Sequence, residues 1–561
     1  MVWWNDIWLN EGFASYVADK GVANFHQDWQ YETTFLTQTL HGIMDHDSLF
    51  SSRPIVHKAD NPHQITELFD GISYSKGSSV LRMLEDFMGP EKFRLGVSTF
   101  LSMYKYKNAI TKDLWKALES VCDFPIERIM NTWTLQSGYP VLNVTKVSNT
   151  KYRISQERFL KDPSTAGTDK TLWEVPITWI TNNNGERQLH WLTNKEKEAE
   201  IEVETGTRWV KLNVGQFGYY RVNYDGSMWA DLVHDLLHHK DTLAPMDRAS
   251  LINDAFALAE AGRLNYRIAL QLLLYLKNER DYAPLITASN SLLKIRKKLT
   301  KTSFYAMFRE FGLSLIKSHY HRLGWKDEGS HLEKLTRVKI LGLACKFDYR
   351  PCREEAKKIF KQWIEGNKEK KSIEPNFRFI VYYYGMQEYE DVDTWTEMWT
   401  RYLSEINSQE KAKLAIGLAQ VQNAEILAKF MDLAKVEENV RSQDYLSIMS
   451  YISFNPIGQP LVWKFVQSEW TYLVKRFGIG NRNIGSLVKN VVGDFSTEAE
   501  LKEVETFFTQ NPEAGAGARA RKQAVEEIKI NILWNTNYLD VIRSWIYEGK
   551  YKESSSTSQK S

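Results

Sequence analysis

Trp3-Trp4-Asn5-Asp6-Ile7-Trp8-Leu9-Asn10-Glu11-Gly12-Phe13-Ala14 is the stretch from which the rest of the chain is read. Apolar residues recur through it and beyond it at spacings of three and four, the period of an amphipathic helix. Asn10 is a good helix cap, and Glu11 then stands in the first turn, where a carboxylate interacts favourably with the helix dipole. The spacing predicts a helix from Asn10 to about Lys20. On these residues alone, a capped helix explains the segment without any chemistry.

Outward from it, residues 1–140 read mainly as helices, including Gly77–Met88 and Thr111–Cys122. Residues 141–225 change period. Short runs such as VLNVTKV, KYRISQERF, EVPITWIT, RQLHWL, RWVKLNV and GYYRVNY are separated by Asn, Gly and Asp clusters, which predicts a small β-sandwich. From residue 226 to 550 the pattern is helical throughout, with short polar loops, and is compatible with a curved, HEAT-like α-solenoid. Residues 551–561 are a low-complexity tail expected to be disordered. The predicted architecture is therefore multidomain and mainly α.

Composition sets bounds on function. The chain has 561 residues, too many for one core. With 72 Lys+Arg against 70 Asp+Glu there is no global field for nucleic acid, and no nucleic-acid motif is present. No apolar run approaches the roughly 20 residues of a membrane span, and the N-terminus lacks a signal-peptide pattern. Cys345 and Cys352 are close in sequence, with no zinc-site partner nearby. They are either two free core thiols or a local disulfide. Cys122 is the remaining cysteine. Asn143-Val144-Thr145 is the one N-x-S/T glycosylation triplet.

Three further segments invite chemistry. His234 and His238 have a zinc-like spacing on a predicted helix, but Asp235 stands where a catalytic Glu would be, so a surface helix is the simpler reading. Gly515-Ala516-Gly517 follows a helical pattern rather than a strand and is not a phosphate loop. Gly71-Ile72-Ser73-Tyr74-Ser75-Lys76-Gly77 places a tyrosine before a helix, which by itself means packing.

The opening segment resembles the WLNEGFA element of the M1 family of zinc aminopeptidases, the gluzincins. The Tyr74-to-Gly77 run resembles that family's Y-x-K-G element. FDGISYSKGSSVLRMLEDF, Asn131-Thr132-Trp133, SGYPVLNV, GYYRVNY and DRASLINDAFALA look like further landmarks, so the likeness reaches to about residue 550. It implies a remainder of a thermolysin-like catalytic domain over 1–140, a β-sandwich over 141–225 and a helical domain over 226–550. It also implies release of N-terminal residues from peptides. Glu11 would be a zinc ligand and Tyr74 the donor to the developing oxyanion. The family's HExxH element, which carries two His ligands and the base, precedes WLNEGFA at a fixed spacing. Counting back from Glu11 at that spacing passes the start of the chain, and the family's upstream GxMEN element is absent too. The expectation is an N-terminally truncated chain, inactive alone.

Within the family, the likeness is strongest to membrane-bound animal ectoenzymes of the glutamyl aminopeptidase type. That implies a Cys345–Cys352 disulfide and an extracellular or plasma-membrane setting, with anchoring through a segment outside this chain. Homodimers and a Ca²⁺ site are further implications. Arg482, in Gly480-Asn481-Arg482-Asn483, resembles an arginine that reads an acidic substrate side chain; the alternative is an exposed loop residue. Two other functional readings stay open: a non-catalytic peptide-binding or interaction fragment, and an M1 aminopeptidase of broad neutral specificity.

Overall fold

The computed structural model describes residues 3–366 and 372–549; the predicted tail lies outside them. The chain forms two compact units, Met1–Ser291 with Tyr538–Ser561, and Leu292–Asn537. It is mainly helical, with two small sheets confined to the first unit.

The first helix, α1, runs Trp8–Phe25, and its N-cap is Ile7 rather than Asn10. Asn10 is exposed within the first turn. The helix starts early because the preceding turn, Trp4–Asp6, is tied down by side chains. Trp3 Nε1 donates to the Ala59 carbonyl (2.9 Å), and Asn5 Oδ1 accepts from the Ala59 amide (3.1 Å). Asp6 accepts from the Thr111 amide (3.1 Å) and hydroxyl (2.5 Å), while Trp8 Nε1 donates to the same hydroxyl (2.9 Å). These long-range bonds override the local capping preference of Asn10. Gly77–Met88 is helical as predicted, whereas the helix predicted over Thr111–Cys122 runs Thr111–Glu119. The five residues before Gly77, Ile72–Lys76, form a π-helical turn.

Helix α1 and the Gly77–Met88 helix cross at two glycines. A Cβ on Gly12 would stand 2.8 Å from the Ser73 carbonyl oxygen and 3.0 Å from the Gly77 Cα, and one on Gly77 would stand 3.1 Å from the Gly12 Cα. Backbone therefore meets backbone: a side chain at Gly12 requires a shift of main chain, and one at Gly77 is crowded.

Seven strands follow: β1 Pro140–Lys146, β2 Lys151–Arg158, β3 Val175–Thr181, β4 Gln188–Leu192, β5 Glu198–Glu202, β6 Val210–Leu212 and β7 Arg221–Tyr224. They form sheets of order β5-β2-β1-β7 and β4-β3-β6. All pairs are antiparallel except β1 with β7. Buried Val141, Val144, Ile154, Val175, Ile177, Leu212 and Val222 contribute to the core. Two tyrosines tie the sheets to each other: Tyr220 donates to the Pro176 carbonyl (3.0 Å), and the Leu212 amide donates to the Tyr224 oxygen (3.0 Å). Strand β5, Glu-Ala-Glu-Ile-Glu, is absent from the sequence reading because its composition is acidic. It is an edge strand that buries only Ile201, so charge rather than β propensity dominates it.

In the second unit, helices His331–Lys346 and Arg350–Ile364 are consecutive, and the disulfide Cys345–Cys352 joins the end of one to the start of the next. Ser330 and Glu333 cap the first of them reciprocally. Both cysteines are buried.

Gly12→Ala is expected to lower stability by about 1–3 kcal/mol in urea unfolding, since the rigid atoms it meets are backbone. Gly21→Ala, in the same helix with nothing within 4 Å of a new Cβ, is expected to raise it by about 0.5–1 kcal/mol. The Cys345→Ser/Cys352→Ser double variant is expected to lose about 2 kcal/mol, the low end for a disulfide because the closed loop is short.

Candidate functional site

Glu11 is half-buried on α1, and its carboxylate makes no hydrogen bond or ion pair among the described residues. Only its backbone carbonyl is engaged, by the Ser15 hydroxyl at 2.6 Å. The same side of α1 carries Ala14, Val17, Ala18 and Phe25, with Val17 49% and Phe25 84% exposed. An apolar helix face that stays open in this way, next to a carboxylate without a partner, is unusual for a folded domain.

Tyr74 is half-buried in the π-turn. The front of that turn is held by Asp70, whose Oδ1 accepts from the Ile72 amide (3.0 Å) and the Ser73 amide (3.2 Å). Asp70 is in turn held by Arg53, a buried guanidinium that donates to both carboxylate oxygens (2.6 and 3.1 Å). Arg53 also donates to the carbonyls of Pro54, Ile55 and Leu68 and to the Ser73 hydroxyl. The rear of the turn is held by Lys76. Its Nζ, wholly buried, lies 2.8 Å from Asp47 Oδ2 and 2.8 Å from the Gly138 carbonyl oxygen. Burial pushes the Lys76 ammonium below its ordinary pKa, against the opposing pull of Asp47. Because Gly12 and Gly77 touch, the segment after Glu11 and the segment after Tyr74 lie side by side.

Arg482 belongs to the second unit. It is the first residue of helix Arg482–Val492, not a loop residue, and Asn481 caps that helix. Its exposed guanidinium has no partner among the described residues. The helix is seated by a second two-glycine contact: a Cβ on Gly485 would lie 2.7 Å from the Gly517 Cα, and one on Gly515 would lie 2.1 Å from the Ile479 carbonyl. The Gly515-Ala516-Gly517 run is thus a packing device, with the Ala516 amide donating to Ile479 at 3.2 Å.

The other sequence candidates are placed as follows. Asn143 lies half-buried in β1, its Nδ2 donating to Glu157 (2.9 Å) and its Oδ1 accepting from Asn223 (3.3 Å). His234 and His238 are exposed on helix Gly226–His239, their rings 4.6 Å apart. Among the described residues no group of three or more His, Cys, Asp or Glu is placed to hold a metal ion. A zinc site takes three or four protein ligands. Glu11 would supply one, so the described residues do not by themselves fit the ion.

With this geometry in hand, two family models match. The Peptidase family M1 domain matches residues 1–133, and the ERAP1-like C-terminal domain matches residues 209–530. The chain belongs to the M1 peptidase family. It is similar to glutamyl aminopeptidase of Homo sapiens, 40% identical over 562 residues, covering 98% of this chain and 57% of that protein. Glutamyl aminopeptidase of Sus scrofa is 39% identical over 563 residues, with 98% and 58% covered. Endoplasmic reticulum aminopeptidase 1 of Mus musculus is 34% identical over 580 residues, with 98% and 62% covered. The chain thus spans about three-fifths of the length of these relatives.

Two groups at the site escape the sequence reading. Asp47, buried with the Lys76 ammonium, has no motif around it; only the burial of a lysine beside Tyr74 points to it. Arg53 is equally silent, since nothing in the stretch around it marks its guanidinium as buried. Arg53→Met is expected to cost about 3–5 kcal/mol, because it removes the buried cation that pairs with Asp70 and a donor to the Pro54, Ile55 and Leu68 carbonyls. Hydrogen exchange of the Ile72–Gly77 amides should speed up in that variant more than exchange in the second unit.

Proposed function

We propose that this chain serves an aminopeptidase that releases N-terminal residues, acidic ones among them, from peptides. The observation that carries the reading is the unpartnered, half-buried carboxylate of Glu11 on the open face of α1, with the Tyr74 turn packed beside it. An open face of small and apolar residues suits a second helix at close range. A helix bearing two imidazoles there would complete with Glu11 the three-ligand set that zinc, the family's cofactor, requires. Tyr74 is the residue that donates a hydrogen bond to the carbonyl oxygen as it gains charge. Arg482, charged and free, is the group that recognises an acidic side chain, through the two-pronged geometry of a guanidinium.

The wider setting belongs to the same proposal. Residues 1–140, 141–225 and 226–550 would be the catalytic remainder, the sandwich and a helical domain stacked as a solenoid. The buried Cys345–Cys352 disulfide supports an oxidising compartment, although Asn143, half-buried in β1 with its Nδ2 bonded to Glu157, is poorly placed to accept a glycan there. Among the described residues no helix is long and apolar enough to cross a membrane, so membrane attachment would rest on a segment outside them. A homodimer and a calcium ion complete the proposed assembly.

A second reading, a peptide-binding fragment without catalysis, is favoured by the lack of a metal-holding group among the described residues. Both readings predict that residues 1–561 alone hold well under one zinc and leave aminoacyl-arylamides intact. They part when a segment carrying a HExxH helix is joined to the chain. Zinc uptake and turnover, both abolished by Glu11→Ala, support the enzyme; neither appearing supports the fragment. In the joined form Arg482→Ala is expected to reduce kcat/KM for a glutamyl-arylamide by about 100-fold while sparing an alanyl-arylamide, a loss typical of an unmet buried charge contact. Equal losses on both substrates would remove Arg482 from specificity.

A further inference from the structure

Two buried cations bracket the turn that carries Tyr74. Arg53, through Asp70, fixes its first amides. Lys76 fixes its last residue, and the partners of Lys76 come from two different parts of the first unit. Asp47 lies at the end of helix His41–His46. Gly138 lies just before β1. Asp47 is itself wholly buried and held on four sides. It accepts from the Ser52 hydroxyl (2.5 Å), the Gly138 amide (3.3 Å) and the Tyr219 hydroxyl (3.2 Å), besides the Lys76 ammonium. The Lys76 Nζ also sits 5.5 Å from the centre of the Tyr219 ring. Gly138 and Tyr219 both belong to the edge of the strand region, since Tyr219 precedes β7.

We propose that Asp47 and Lys76 are positioning residues for Tyr74, and that the sandwich, through Tyr219 and the Gly138 peptide, is part of the same device. The proposal rests on the reading of Tyr74 as the oxyanion donor. A buried ion pair is poor evidence for stability, because well-packed apolar residues of the same size often do as well. What such a pair does define is direction: the ammonium can satisfy its donors only where the Asp47 carboxylate and the Gly138 carbonyl both lie. Lys76 is two residues beyond Tyr74 in one π-turn, so the angle of the turn follows the position of its ammonium. Gly12 closes the remaining side. The strand region is thereby linked to the site without lending it a side chain.

The test has two arms. In chain 1–561, 3-fluorotyrosine placed at position 74 reports its surroundings by its ¹⁹F resonance. Asp47→Asn and Lys76→Met are expected to shift or split that resonance. Tyr219→Phe, which removes one hydroxyl and keeps the fold, should move it the same way by less. A resonance unmoved in all three overturns the proposal. In the form joined to a HExxH segment, Lys76→Met is expected to lower kcat by up to about 100-fold with KM nearly unchanged, the scale of a small misplacement of a catalytic group. In a Tyr74→Phe background the same change should cost little more, because the group it positions is gone. An undiminished loss in that background overturns the proposal. Wild-type kcat in Tyr74→Phe itself would instead overturn the role of Tyr74, and the fluorine arm tells the two failures apart.

Discussion

The site depends on a contact in which no side chain takes part. Gly12 and Gly77 let two helical segments approach until their backbones touch; a methyl group at Gly12 would press on main-chain atoms, and one at Gly77 would be crowded by them. Everything chemical hangs from that crossing. Glu11 is the residue before one glycine, and Tyr74 is three before the other. Their approximate separation is therefore fixed by main chain, which is stiffer than any arrangement of side chains. The polar network then has a smaller task, to set the orientation of one turn.

That division of labour explains the unusual density of buried charge nearby. Arg53, Lys76 and Asp47 are all withdrawn from water, and each is met by carbonyls, hydroxyls or an opposite charge. Such groups are expensive to bury, and a domain selected for stability alone has cheaper solutions. They occur at the two ends of a π-turn, a backbone form that is rare and concentrated at functional sites. The same principle recurs in the second unit, where Gly485 meets Gly517 and seats the helix that begins at Arg482.

Much of this was legible in the sequence, and the illegible remainder has physical reasons. Periodicity revealed Gly77–Met88 because its apolar residues recur at helical spacing, and strands such as β2 because burial alternates along them. It misplaced the start of α1, since Asp6 and Trp8 reach across to Thr111, and no local pattern encodes a bond between residues so far apart. It missed β5 because an edge strand with three glutamates looks like a loop. The resemblance named Glu11 and Tyr74, and the matched family model bears out the family itself. What it could not supply was the freedom of the Glu11 carboxylate or the anchoring of the turn by Asp47. Gly515-Ala516-Gly517 shows the same limit from the other side: its meaning lies in what packs against it, not in its own order of residues.

The acidic edge strand has one more effect. Glu198, Glu200 and Glu202 alternate along β5, with Arg153 and Lys151 of the neighbouring strand beside them. An exposed strand edge offers unpaired amides and carbonyls to any extended chain that drifts past. Left neutral, such an edge invites passing chains to add themselves as an extra strand. The row of carboxylates makes that addition unrewarding, and so blunts the open edge of the four-stranded sheet.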